Sequence, residues 1–285
     1  MQAARSKSTR WPRPTRYRRA PAPSRDPAPT PITAYLSAAG SGKSGCRYGT
    51  SPSPRRNTVE HNTTGDYHIQ TALPRLNALA PAFEAETTHG RLALEDYRGT
   101  WVVLFSHPAD FTPVCTTEFI EFARMAPALK ERNTELLGLS IDSIYSHLAW
   151  VQAIRDKFGV EIPFPVIADG NREVASLYGM INPEESSTET SRCLFVIDDK
   201  GVLRAMIYYP LTTGRNTDEI LRLIDALQTT DRHRVATPAN WRPGESVIVP
   251  PPRTVEDAEA RKDLGYECTD WWFCKTTVPA PGSKG

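Results

Sequence analysis

The sequence predicts an α/β sandwich on a mixed central sheet, and three observations predict it. Short apolar runs such as Trp101–Phe105 read as buried strands, and they alternate with stretches whose apolar residues recur at helical spacing. The turn Asp198-Asp199-Lys200-Gly201, between two β-rich runs, adds an antiparallel hairpin to this crossover pattern. The chain has 285 residues, 39% hydrophobic and 24% charged, enough for one large domain or two small ones. None of its apolar runs approaches the roughly 20 residues of a membrane helix, so no membrane partner is expected.

The elements follow in order. After strand Trp101–Phe105, Phe119, Ile120, Phe122, Ala123 and Met125 give a helical stripe that Pro127 should kink or end. Next come strand Leu136–Ile141 and a helix with Ile144, Leu148, Val151, Ile154 and Phe158 on one face, closed by Gly159. A short strand at 164–168 and a short helix at 172–178 precede the hairpin strands 194–197 and 202–209. Asn216 followed by Glu219 reads as a capping box opening a last helix through Ile220, Leu221, Leu223, Ile224 and Leu227.

The flanks differ from this body. Residues 1–60 hold 12 Lys or Arg against Asp26 and Glu60, with nine prolines and few large apolar groups, so residues 1–66 are read as a disordered Arg/Pro/Ser-rich extension. The rest of the chain is net acidic, which argues against a nucleic-acid partner. The acid-free first 25 residues have the composition of a targeting peptide, but prolines at 12, 14, 21 and 23 would break its helix, and a dispensable extension in a cytoplasmic protein is preferred. Gly40-Ser41-Gly42-Lys43-Ser44 ends like a phosphate loop, but Ser37 stands where that motif needs Gly. Residues 67–235 form the expected domain. In residues 236–285 prolines should interrupt any regular element, while Trp241, Tyr266, Trp271, Trp272 and Phe273 make an aromatic-rich arm that needs another surface to cover it.

Five unevenly spaced cysteines, at 46, 115, 193, 268 and 274, suit individual thiols in a reducing compartment better than a disulfide framework. The chemistry concentrates in Ser106-His107-Pro108-Ala109-Asp110-Phe111-Thr112-Pro113-Val114-Cys115, which links the first strong strand to its helix. Thr112 reads as N-cap, Pro113 as N1 and Cys115 as N3, so the thiol lies in the first turn, where free amides and the positive helix end favour a thiolate.

Pro108-x-x-x-Thr112-x-x-Cys115 matches the peroxiredoxin signature. The string from His107 to Phe119 resembles the branch of this AhpC/TSA family that holds one-Cys peroxiredoxins and archaeal-type thioredoxin peroxidases. The resemblance begins near Leu79-Ala80-Pro81-Ala82-Phe83 and runs to the C-terminus. It implies a thioredoxin-like fold and a thiol-specific peroxidase without cofactor or metal. Cys115 would be the peroxidatic cysteine, reducing hydrogen peroxide and organic hydroperoxides through a sulfenic acid. Thr112, the Cys115 amide and Arg192 would hold the peroxide, with Pro108 shielding the pocket. Arg215 would be a second site arginine, His107 a branch-typical residue, and Glu118, three residues after Cys115 on the same helix face, an orienting partner for an Arg.

Glu267-Cys268-Thr269-Asp270-Trp271-Trp272-Phe273-Cys274 resembles the arm of the archaeal-type members. By that resemblance Cys274 would resolve the sulfenic acid of a partner subunit, with Cys268 auxiliary, in a homodimer able to assemble into a ring of dimers. A thioredoxin-like protein or small thiol would recycle it. A zinc site is disfavoured by the five-residue gap between these cysteines and the lack of a second ligand pair. Cys193 is read as structural and Cys46 is assigned no role. A disulfide oxidoreductase lacks its Cys-x-x-Cys, and a lipase its Gly-x-Ser-x-Gly. A chaperone role for the apolar arm stays open as an additional activity.

Overall fold

The computed structural model describes residues 73–279. The expected extension, the phosphate-loop-like string and Cys46 lie outside the described residues.

A hairpin of β1 (Glu84–Thr87) and β2 (Gly90–Ala93) opens the body, turning at Gly90, whose φ of 100° suits glycine. Then come β3 (Trp101–Ser106), α1 (Pro113–Lys130), β4 (Thr134–Ser140), α2 (Ile144–Phe158), β5 (Val166–Ala168) and α3 (Glu173–Leu177). The hairpin strands β6 (Arg192–Ile197) and β7 (Leu203–Tyr209) follow, and α4 (Thr217–His233) closes the sandwich. The seven strands lie in the order β2-β1-β5-β4-β3-β6-β7. β3 runs parallel to β4 and antiparallel to β6, and β4 is parallel to β5, so the sheet is mixed and the fold thioredoxin-like.

β3 is buried on both faces, and its side chains divide by the period of two that a strand imposes. Trp101, Val103 and Phe105 join Phe119, Phe122, Leu129, Trp150 and Ile224 in one core, while Val102 and Leu104 join Leu137, Tyr178 and Phe195 in the other. This double burial fixes where β3 ends, and therefore where α1 begins.

Several expectations are corrected. Helix α1 continues through Pro127 to Lys130. The proline removes one donor near the helix end, and the Glu131 N–H donates to the Pro127 carbonyl at 3.1 Å to resume the ladder. On α2 the buried residues are His147, Trp150 and Ile154, whereas Leu148 and Phe158 are exposed. Val151 and Ile154 of the expected stripe do face the core, but the rest of that face is supplied by a histidine and a tryptophan rather than by Leu148 and Phe158. Asn216 caps α4 by accepting from the Asp218 and Glu219 N–H groups, but Glu219 pairs with Arg222 instead of closing a box.

Regular structure also continues past residue 236. β8 (Val247–Val249), the short helix α5 (Val255–Ala260), β9 (Glu267–Asp270) and β10 (Phe273–Thr276) give a second sheet of order β8-β10-β9. Pro243 and Pro250–Pro252 fall between these elements, so they punctuate the arm without preventing strands. Trp241 is covered by its own chain, packing with Ala226 and Val247 and donating Nε1–H to the Glu245 carbonyl at 3.0 Å. Trp271 and Trp272 stay half exposed.

Candidate active site

The loop 107–112 leaves the C-terminal end of β3 and delivers the chain into α1. Pro113 occupies the first helical position, where a missing N–H costs nothing, and Thr112 holds the extended N-cap conformation. The Thr112 hydroxyl makes no cap bond; it donates to the Ala109 carbonyl at 2.9 Å. Phe111, just before the N-cap, adopts φ 56°, an uncommon value for a residue with a side chain. Pro108 is buried beside it, and Cys115, one turn into α1, is fully buried.

Opposite Cys115, the antiparallel β6 brings Arg192 to the same end of the sheet. Its Nη1 lies 3.3 Å from Cys115 Sγ and donates to it, and also donates to Glu118 Oε2 at 2.7 Å. Arg215, from the loop between β7 and α4, donates to Glu118 through Nε and Nη2, both at 2.8 Å, and through its backbone N–H at 2.9 Å. Its remaining nitrogen, Nη1, donates to the Cys193 carbonyl at 2.8 Å, and its guanidinium lies over the rings of Phe105 and Phe122. Burial alone would raise the Glu118 pKa, but the charge and hydrogen bonds of Arg215, with the charge of Arg192, hold it below the usual carboxylate range. With a neutral thiol the trio has one positive charge in excess, placed against the sulfur. The structure thus brings together Cys115, Arg192, Glu118 and Arg215 from three segments, with Thr112 and Pro108 in the adjoining loop.

His107 is buried behind this loop with its ring edge-on to Phe119, one turn after Cys115. Its Nε2 pairs with Asp110 Oδ1 at 2.9 Å, and the other Asp110 oxygen pairs with His147 Nδ1 at 2.8 Å. His147 Nε2 lies 3.1 Å from the Ile167 carbonyl. Asp110 would be raised by burial, but two imidazole hydrogen bonds more than offset that and hold its carboxyl far below the usual range. Burial keeps His107 below the ordinary imidazole value despite Asp110. With Nε2 donating to the carboxylate, Nδ1 keeps a lone pair, and among the described residues it has no hydrogen-bond partner. Within 4.8 Å of one another, His107, Asp110 and His147 could offer three ligands to a cation. Both Asp110 oxygens already accept from imidazoles, so an ion would have to displace those bonds. Sequence reasoning missed Asp110 and His147; the one available signal was a histidine at helical spacing from Trp150 and Ile154.

With this geometry in place, similarity to known proteins is decisive. Residues 76–206 match the AhpC/TSA family, and residues 226–264 match the C-terminal domain of 1-Cys peroxiredoxin. A peroxiredoxin of Aquifex aeolicus is 62% identical over 218 residues, spanning 73% of this chain and 98% of that protein. Peroxiredoxin 2 of Caldanaerobacter subterraneus is 56% identical over 211 residues, spanning 73% and 96%. The chain belongs to the peroxiredoxin family. Among solved structures, a yeast mitochondrial 1-Cys peroxiredoxin, described in terms of thiol resolution via glutathione and thioredoxin systems, superposes with TM-score 0.66 at 44% identity, covering 72% of this chain and all of that one. Peroxiredoxin 6 of Arenicola marina gives 0.65 at 39%, covering 74% of this chain and all of that one. This peroxiredoxin is accordingly a thiol-dependent peroxidase that works through a cysteine.

The remaining cysteines divide sharply. Cys193 is buried in β6, and burial pushes its thiol up to about 12, as suits a structural residue. Cys268 and Cys274 are cross-strand partners on β9 and β10 and are joined in a disulfide within one chain. The two residues lie six positions apart on antiparallel strands, so in this state the thiol expected to resolve, Cys274, and the one expected to be auxiliary, Cys268, are paired with each other.

Proposed function

We propose that Cys115 is the peroxidatic nucleophile for hydrogen peroxide and organic hydroperoxides. The observation that carries this reading is the 3.3 Å donation from Arg192 Nη1 to a sulfur in the first turn of α1. The Cys115 thiolate attacks the terminal peroxide oxygen, the O–O bond breaks, a sulfenic acid forms, and the departing hydroxide or alkoxide takes a proton from solvent to leave as water or alcohol. Arg192 donates to the oxygens as negative charge moves onto them, and Arg215 with Glu118 holds that guanidinium in place. The Cys115 N–H, a first-turn amide, and Thr112, whose oxygen keeps lone pairs to accept the peroxide O–H, orient the substrate. Pro108 limits water access. His107 serves as a neutral neighbour. Peroxide consumption with dithiothreitol as the only reductant tests the assignment: Cys115→Ser should be inactive, and retained activity would overturn it.

For recycling, we infer that Cys274 condenses with the Cys115 sulfenic acid of a partner subunit, releasing water. Cys268 then attacks Cys274 Sγ and expels the Cys115 thiolate, leaving the Cys268–Cys274 disulfide, which a thioredoxin-like or small thiol donor reduces with two electrons. This order is supported by the joined pair in the arm and requires a homodimer, with a ring of dimers as its further assembly. Dependence on a thiol pool favours a cytoplasmic setting. Non-reducing electrophoresis after one equivalent of peroxide should give a covalent dimer in Cys268→Ser and none in Cys274→Ser.

A further inference from the structure

We propose that Glu185 is a positioning residue for peroxide reduction, acting through the Leu211 peptide to aim Arg192 at Cys115. The proposal rests on the assignment of Cys115 and Arg192 to the site. Glu185 lies in the loop between α3 and β6, half buried, and among the described residues its carboxylate enters no ion pair. Instead both oxygens are spent on neutral donors. Oε1 accepts the Leu211 N–H at 2.6 Å, and Oε2 accepts the Ser191 hydroxyl at 2.7 Å.

Those two donors flank the site arginine. Ser191 directly precedes Arg192, and the Leu211 carbonyl accepts both Arg192 Nε at 2.9 Å and Arg192 Nη2 at 2.8 Å. A guanidinium is planar and rigid, so seating its Nε–Nη2 edge on one carbonyl fixes the direction of the third nitrogen. That third nitrogen, Nη1, faces Cys115 Sγ and Glu118. Leu211 stands past the end of β7, where no ladder bond holds its peptide; its N–H is held by Glu185. A carboxylate serves here because it offers two strong acceptors in one plane, tying the Ser191 and Leu211 segments at a fixed separation. Glu118 restrains Arg192 from the helix side and Glu185, through Leu211, from the strand side.

The test is the second-order rate of Cys115 oxidation by hydrogen peroxide in full-length protein, with urea midpoints measured alongside. Glu185→Ala should slow oxidation roughly 10-fold, since loss of alignment at a donor degrades transition-state stabilisation steeply. Glu185→Gln should stay within about threefold of wild type, because its amide can accept from Leu211 and donate to the Ser191 oxygen. In an Arg192→Lys background, which has no planar edge to seat, Glu185→Ala should cost less than about twofold further. Equal slowing in both backgrounds, an unchanged rate in Glu185→Ala, or a Glu185→Gln enzyme that folds yet is as slow as Arg192→Lys would each overturn the proposal. Should Glu185→Ala fail to fold, Glu185→Thr, too short to reach both donors, takes its place in both backgrounds with the same outcomes expected. Peroxidase activity surviving Cys115→Ser would sink the site assignment itself, a separate outcome.

Discussion

Cys115 and Cys274 are both fully buried, but they are buried by different means. Around Cys115 the cover comes from β3, α1 and β6, and the charges that address its sulfur come from residues 118, 192 and 215, far apart in the chain. Cys274 lies in a three-stranded sheet beside its disulfide partner six positions away, and all four residues of β9 are exposed. The first thiol therefore depends on the whole sandwich, whereas the arm pair is a local device whose redox state can change while the sandwich stays intact. In the proposed cycle, long-range charge placement would serve the nucleophile and short-range exchange the recycling pair.

The largest effect should come from the node of the charge network. Glu118→Ala leaves two buried arginines without their shared carboxylate and should destabilise the protein by about 3–5 kcal/mol, read from urea unfolding. A change under about 1 kcal/mol would mean that Arg192 and Arg215 find other partners, and the contrast with the arm would weaken. Next, Arg192→Met should slow peroxide reduction by about 10²–10³-fold, the usual consequence of losing one transition-state donor, and should also slow alkylation of Cys115 at fixed pH. Equal rates in the two proteins would remove Arg192 from the site.

Reducing the Cys268–Cys274 disulfide should cost about 2 kcal/mol at most, given so short a loop, and the loss should be confined to the arm. Hydrogen exchange should then quicken in β8, β9 and β10 and stay unchanged in β3 and β6. A pH series sharpens the same contrast. Burial depresses the His107 pKa, so below about 6.5 the unfolded imidazole binds a proton that the folded one resists. Stability should fall as the pH drops from 7 to 5, by no more than about 1.4 kcal/mol per pH unit from this group, and His107→Gln should flatten that slope. The low folded pKa values of Asp110 and Glu118 act further down: their contribution is complete above about pH 5 and is lost progressively as the pH falls below that. The smallest effect belongs to the arm surface. Trp272→Ser should shift monomer stability by less than about 0.5 kcal/mol, and a larger shift that grows with protein concentration would reveal a second subunit covering it.

Much of this was legible in the sequence because the informative residues are local. The string from His107 to Cys115 carries its own turn, cap and helix start, and the β3 run from Trp101 cannot be anything but buried. What stayed hidden was set by tertiary contacts. The Asp110–His147 bond joins residues 37 apart through the packing of α2, and periodicity counted on aliphatic residues found Val151 and Ile154 but passed over His147 and Trp150 on the same buried face. Glu185 sits in an irregular loop among Asn, Ser and Thr, with no pattern to distinguish it from a solvated acid. The arm strands were masked by prolines that proved to lie between elements. The Cys268–Cys274 pair was visible as two residues, but its joining depends on the β9–β10 register.

If the charge network makes Cys115 the thiol that meets peroxide, trapping the sulfenic acid should reveal it. Fully reduced protein is treated with one equivalent of hydrogen peroxide in the presence of dimedone, and the adduct is mapped by peptide mass spectrometry. The adduct should fall on the peptide carrying Cys115 and not on Cys193, whose thiol burial pushes up to about 12. An adduct on Cys268 or Cys274 with Cys115 unmodified would contradict it.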